Sequence, residues 1–314
     1  MMQYLVIRPG AIGDSLLAFP VIQALRERVT APRVIFVSNA AVLPLAQDAG
    51  LAEEVADYSS ALWSELFSTT GIRTPALREL LQRVDSAICW LRDGEGIVRR
   101  NLQACGIEHI VIAPGRPAVE SEVYIVDYLA RTIWPADPPL LTPGAPIIPA
   151  YSGQRSAAPT RIAIHPGSGG ACKCWPVAHF ATVIDALWRR GIPVFLLAGP
   201  ADAEVLTNLL ARLPAPPDPA LLAILRDAPL RCVAREIQQC RGYLGNDAGI
   251  THLAALCGVS TIVLFGPTSP AIWRPYGSSV RVLSERELGN LQPEKVLYTI
   301  EEFFYPAYGH PRNL

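Results

Sequence analysis

Lysine is nearly absent from this chain. Of its 27 basic residues only Lys173 and Lys295 are lysine, the others are arginine, and nowhere do basic residues form a run. With a formal net charge of −1 at pH 7, this scatter argues against duplex nucleic acid as a partner, because binding a phosphate backbone needs a clustered cationic face. Any anionic ligand must be met locally, by a few placed groups. No apolar run approaches the roughly 18–20 residues that a membrane-spanning helix needs. The opening stretch "MQYLVIRPGAIGD" reads as an apolar strand without a charged leader or a small-residue cleavage site. No signal peptide is therefore expected, and the expected location is cytoplasmic, with contact at a membrane surface left open. Paired metal-ligand spacing is missing too. The seven cysteines show no repeated interval, and Cys172 and Cys174 form C-x-C instead of a C-x-x-C pair, so free thiols in a reducing compartment are expected and a zinc site is not.

What is present is a long, apolar, sparsely charged chain. At 314 residues, 50% of them hydrophobic and 18% charged, it is long enough for two domains and too apolar for disorder. Short apolar runs ending in Gly or Pro alternate with helical patterns: "YLVIRPG", "SLLAFPVIQALRERV", "RVIFVSN", "AVLPLAQDAG", "SAICWL", "HIVIAPG". This βαβα rhythm predicts parallel sheets with ligands at the carboxyl ends of the strands. A proline-dense stretch between Pro135 and Thr160 interrupts it, after which a second series begins with "RIAIHPG". The predicted organisation is a first Rossmann-like domain over 1–145, a linker over 146–160, a second such domain over 161–290, facing the first across a cleft, and a C-terminal helix and tail over 291–314.

Three stretches carry chemistry. In "RPGAIGDSLLAFP", Gly10 and Gly13 follow a strand and Asp14 falls at the head of a helix, which places a carboxylate where such a sheet keeps its reactive groups. Asp14 also reads as a simple helix cap. In "HPGSGGACKCWP", glycines allow backbone amides to approach a phosphate, and Lys173 adds a point charge. Neither G-x-x-x-x-G-K nor G-x-G-x-x-G fits, since Cys172 breaks both. A surface lysine on a glycine loop remains the plain alternative. In "GYLGNDAGITHLAALCG", Asp247 precedes a helix through Ala248, Gly249 and Ile250, with His252 in its first turns, and a helix N-terminus favours anions. Taken singly, Asp247 reads equally as a cap and His252 as a half-buried histidine. Glu204 in "LLAGPADAE" suits a ribose hydroxyl or a solvated helix start.

Together, "RPGAIGDSLLAFPVIQALRE", "HPGSGGACKCWPVAHFATVIDAL" and "GNDAGITHLAALCGVSTIVLFGPTSP" resemble glycosyltransferase family 9, the ADP-heptose:lipopolysaccharide heptosyltransferases. The resemblance implies a GT-B fold, with an acceptor site in the first Rossmann-like domain, a nucleotide-sugar site in the second, and a last helix returning to the first. It implies Asp14, with Gly13 beside it on the acceptor side, as the base that deprotonates the acceptor hydroxyl. Ser168, Gly169 and Lys173 match the phosphate loop. Asp247, Ala248, Gly249 and His252 match the signature at the nucleotide diphosphate, and Glu204 falls near the ribose-binding acid. Ala248 stands where many members carry Thr, and the cysteines flanking Lys173 are unusual. The implied donor is an ADP-sugar and the implied acceptor a glycolipid or glycan, at the cytoplasmic face of the inner membrane. No cofactor is required by these residues; Mg²⁺ is permitted but not implied. Other readings are a family 9 enzyme with a different sugar or acceptor, a dinucleotide-dependent oxidoreductase lacking the glycine fingerprint, and a non-catalytic GT-B module.

Overall fold

Runs such as "YLVI" and "VIFV" offer no polar face, so they are stable only in a sheet covered on both sides. The computed structural model, which describes residues 2–118, 121–151 and 160–306, places them in two such sheets. The chain divides into two compact units, Met1–Thr142 and Pro143–Leu314.

In the first unit the strands are β1 (Gln3–Arg8), β2 (Arg33–Ser38), β3 (Glu54–Asp57), β4 (Ser86–Trp90) and β5 (His109–Ala113). They form a five-stranded sheet in the order β3-β2-β1-β4-β5, parallel throughout. The register sets Ile7 opposite Val37 on one side and opposite Cys89 on the other. Leu5, Ile7, Ile35 and Val37 pack with Trp63, Leu77 and Leu102 in one core.

The second unit holds β6 (Ile162–His165), β7 (Val194–Ala198), β8 (Leu222–Arg226), β9 (Gly242–Asn246), β10 (Thr261–Phe265) and β11 (Val280–Ser284). Its six-stranded sheet runs β11-β10-β9-β6-β7-β8, again parallel. The helix Val177–Arg189 buries Phe180, Val183, Ile184 and Leu187 on it, the spacing of a single apolar stripe. Strand order reverses between β1 and β4 and between β6 and β9, so each sheet has a crevice at its carboxyl edge there.

Several expectations need correction. The strands β3, β8 and β11 are additions to the expected series; "EVAD", "LAILR" and "VRVLS" lie at sheet edges and stay largely half-buried or exposed, and only "LAILR" carries an apolar run. The first unit ends at Thr142 instead of 145. The predicted linker 146–160 begins docked on the second unit: the amides of Ile147 and Ile148 donate to Leu256 O at 3.0 and 3.1 Å, and Ile148 is buried. Residues 152–159 of that stretch lie outside the described residues, as do 307–314 of the tail.

The last helix, Pro293–Phe304, was expected to return to the first domain. It instead packs beside Val177–Arg189, with Val296, Ile300 and Phe304 in the second unit's core. Gly242 makes this fit: a Cβ there would lie 2.6 Å from the Phe304 ring.

Candidate functional site

At the second switch point, β6 ends at His165 and β9 at Asn246. Asn246 is fully buried and joins three segments. Its Nδ2 donates to Pro166 O at 2.8 Å and Gly167 O at 3.2 Å, and its Oδ1 accepts from Trp175 N at 3.0 Å. A buried amide is stable only when its groups are paired, so Asn246 fixes the loop after β6 and the K-x-W-P turn against β9. The Trp175 indole, itself buried, donates to Leu291 O at 2.9 Å.

Asp247 follows directly. Its Oδ2 accepts from Lys173 Nζ at 2.9 Å and from Thr268 Oγ1 at 2.7 Å, and His252 Nε2 lies 4.0 Å from Oδ1. Its backbone carbonyl accepts from Ser168 Oγ at 2.8 Å. The lysine side chain is 34% exposed and the aspartate 7%, so Asp247 is the buried anchor and Lys173 the accessible cation. An ammonium carries three protons, and one bond to Asp247 leaves the others to point outward. Behind Asp247, Ala248 caps the helix Gly249–Leu256 without a side-chain bond, and the amides at the helix head carry the positive end of its dipole. A cation beside a helix N-terminus at the carboxyl edge of a parallel sheet is suited to a diphosphate.

A buried pair supports the same loop. His165 Nε2 lies 2.9 Å from Asp202 Oδ2, which also accepts from Gly199 N at 2.8 Å. Burial alone would push the Asp202 carboxyl up, but the His165 hydrogen bond and charge, with the Gly199 amide, hold it below the ordinary carboxylate value. A Cβ on Gly167 would overlap the Asp202 carboxylate.

At the first switch point, Asp14 lies in the short helix Ile12–Leu16. Its Oδ1 is 3.1 Å from Arg8 Nη2, and its Oδ2 accepts from Ala11 N at 3.2 Å. Gly10 adopts φ +132°, and a Cβ on it would touch Asp14 Cβ at 3.0 Å. Both the turn and the close approach require glycine there.

The structure thus brings Ser168, Lys173, Asp247, Ala248, Gly249 and His252 to one sheet edge. Gly13 and Asp14 share the helix at the other. Glu204 is exposed in the first turn of the helix Ala203–Leu210, while Asp202, two residues earlier, is buried against His165. Nothing lies within 4 Å of a Cβ on Gly169, whereas a Cβ on Gly167 would meet Asp202, so Gly167 is the glycine that the loop's own packing requires. Cys174 is half-buried and burial raises its thiol pKa, whereas Cys172 is exposed. Sequence reasoning missed Arg8, Asn246, Thr268 and the His165–Asp202 pair. Each sits inside a quoted motif, so position was signalled but partnership was not.

Among the described residues no group of three His, Cys, Asp or Glu could hold a metal ion, and no helix is long and apolar enough to cross a membrane.

Comparison with known proteins agrees with this geometry. Lipopolysaccharide heptosyltransferase 3 of Escherichia coli is 31% identical over 121 residues, 38% of this chain and 35% of that protein. The match therefore spans about a third of the length of such curated relatives. The structure of E. coli ADP-heptose lipopolysaccharide heptosyltransferase II superposes with a TM-score of 0.76 at 20% identity, covering 98% of this chain and 99% of that one. E. coli heptosyltransferase WaaC with ADP gives 0.72 at 20% identity over 96% and 99%. The fold is that of these GT-B enzymes. The family model for glycosyltransferase family 9 (heptosyltransferase) matches residues 107–299, more than half of the chain and all of the Lys173–Asp247 site, and on that evidence the chain belongs to glycosyltransferase family 9.

Proposed function

We propose that this chain is an inverting glycosyltransferase that moves a heptosyl residue from ADP-heptose to a lipopolysaccharide inner-core or related glycan acceptor. The observation that carries the reading is the Lys173–Asp247 pair at the head of the helix Gly249–Leu256, the sort of site a nucleoside diphosphate needs. The ADP found with WaaC supports an adenine nucleotide as the donor's leaving group.

In the reaction, Asp14 takes the proton of an acceptor hydroxyl as its oxygen bonds to the anomeric carbon of the donor. The bond from that carbon to the diphosphate breaks in the same step, inverting the centre. Lys173 and the amides at Gly249 and Ile250 stabilise the charge that develops on ADP. Lysine and helix amides can neutralise a diphosphate, so these residues require no metal, and Mg²⁺ stays permitted. Arg92 and Arg116 are exposed just beyond β4 and β5, on the carboxyl edge that also carries Asp14. They suit an acceptor bearing carboxylate or phosphate groups beside its nucleophilic hydroxyl, at the cytoplasmic face of the inner membrane.

The test is transfer itself. Purified protein is incubated with ADP-heptose and truncated core acceptors, and the product is read by mass spectrometry. A mass gain of one heptose with release of ADP is expected. Transfer only from UDP- or GDP-sugars would retain a glycosyltransferase and discard the heptose donor; no nucleotide release with any sugar donor would reject the reading.

A further inference from the structure

We infer that Arg8 is a positioning residue that holds Asp14 in its working orientation, an inference that rests on Asp14 being the acceptor base. Arg8 closes β1 with its side chain only 3% exposed, against 35% for Asp14. It grips Asp14 twice: Nε donates to the Asp14 carbonyl at 3.1 Å and Nη2 to Oδ1 at 3.1 Å. The Ala11 amide takes Oδ2 at 3.2 Å. Each carboxylate oxygen therefore meets a donor fixed to the backbone or to a buried fork, and the carboxylate keeps its remaining surface for a hydroxyl. A single-point cation would leave it free to rotate, whereas a planar guanidinium fixes both direction and distance.

The frame around Arg8 is built for this. The fully buried Ser38 places its Oγ 2.5 Å from Arg8 O and 2.8 Å from Ser15 Oγ, and Ser15 Oγ donates to Ala11 O at 3.1 Å. Strand end, turn and helix are thereby one unit. On the other side the chain gives way to the guanidinium: a Cβ on Gly115 would overlap Arg8 Nη1 and come 3.0 Å from Trp90 O. Arg8 itself stays charged despite burial, which lowers its pKa against the raising effect of Asp14, because guanidinium retains its proton at any working pH. Its partners Asp14, Ser38 and Gly115 all lie in the first unit.

This separates binding from turnover. The experiment measures kcat, donor KM and ADP affinity for the wild type, R8A, R8M, R8K and G115A, with circular dichroism to establish folding. Misplacing a reacting group by about 1 Å costs on the order of 10²-fold in rate. R8A and R8M should therefore lose roughly that much kcat while donor KM and ADP affinity hold, R8K should recover part of it, and added guanidinium should recover part of it in R8A. G115A should lose kcat with Arg8 intact, since its methyl group displaces the guanidinium. If R8A does not fold, R8M, which refills the space, decides in the same way. An active wild type with folded R8M within about threefold of its kcat would overturn the inference alone. So would a loss that neither R8K nor guanidinium restores, which assigns Arg8 to the framework. A wild type that releases no nucleotide from any sugar donor would overturn the underlying reading and this inference together.

Discussion

The two switch points of this chain solve different problems with different amounts of structure. At the first, one half-exposed carboxylate is held by one buried arginine and one backbone amide, on a helix of five residues. At the second, three segments distant in sequence are tied together by Asn246, Asp247 and the His165–Asp202 pair. A general base needs one atom in one direction with its outer face open. A diphosphate presents several oxygens, so its site must fix several donors relative to one another, and that takes a buried network. The contrast teaches that the sparse site should be sensitive in turnover and the stitched site in binding and stability.

The largest expected effect breaks the comparison on the sparse side. Asp14→Ala should lower kcat by about 10²–10⁴-fold, the usual cost of a general base, with ADP affinity unchanged by calorimetry. On the stitched side, Lys173→Ala should lower turnover by about 10²–10³-fold, the usual cost of one placed electrostatic donor, and should weaken ADP binding as well. Gly167→Ala forces a methyl group onto the Asp202 carboxylate. Overpacking of this kind costs roughly 1–3 kcal/mol, so a lower melting temperature and weaker ADP binding should appear together, with the first unit's Asp14 geometry untouched.

A smaller effect follows from pH. Asp202 has a lowered carboxyl pKa in the folded chain; ionisation therefore favours the folded state at pH above the ordinary Asp value of about 3.9, and that contribution is lost as pH falls through the lowered folded value. Asp202→Asn should flatten the acid limb of a stability-against-pH curve below about pH 4 while leaving its neutral-to-basic side parallel to wild type. The smallest effect is on folding: Glu204→Gln, on an exposed side chain, should leave stability within about 0.5 kcal/mol of wild type by thermal melting, the usual range for a surface change.

Much of this was legible in the sequence, because the central strands carry their burial in composition. "LVI", "VIFV" and "IVLF" must be covered on both faces, and the glycines that end such runs mark the carboxyl edges where Asp14, Lys173 and Asp247 sit. The edge strands β3, β8 and β11 were not legible: "EVAD" and "VRVLS" carry polar residues, and "LAILR" is a short apolar run that a strand and a helix segment share. Partnership was not legible either. Asp202 and Glu204 are two residues apart, and only the turn after β7 decides that the first faces His165 and the second faces away. Likewise "GSGG" does not show that Gly167 alone is pressed by a neighbour, because Asp202 arrives from another strand end. Arg8 read as the last residue of an apolar strand, and its role depends on Gly115 making room from β5's far end. The last helix was assigned to the first domain on resemblance; Val296, Ile300 and Phe304 could have packed on either sheet, and the space over Gly242 settled which.

The most direct measurement is a calorimetric titration of ADP into wild-type protein, Asp14→Ala and Lys173→Ala, with turnover of each recorded in parallel. The account predicts that ADP binds wild type and Asp14→Ala with equal affinity and Lys173→Ala more weakly, while turnover falls in both variants. Equal ADP affinity in all three, or binding lost in Asp14→Ala and kept in Lys173→Ala, would contradict it.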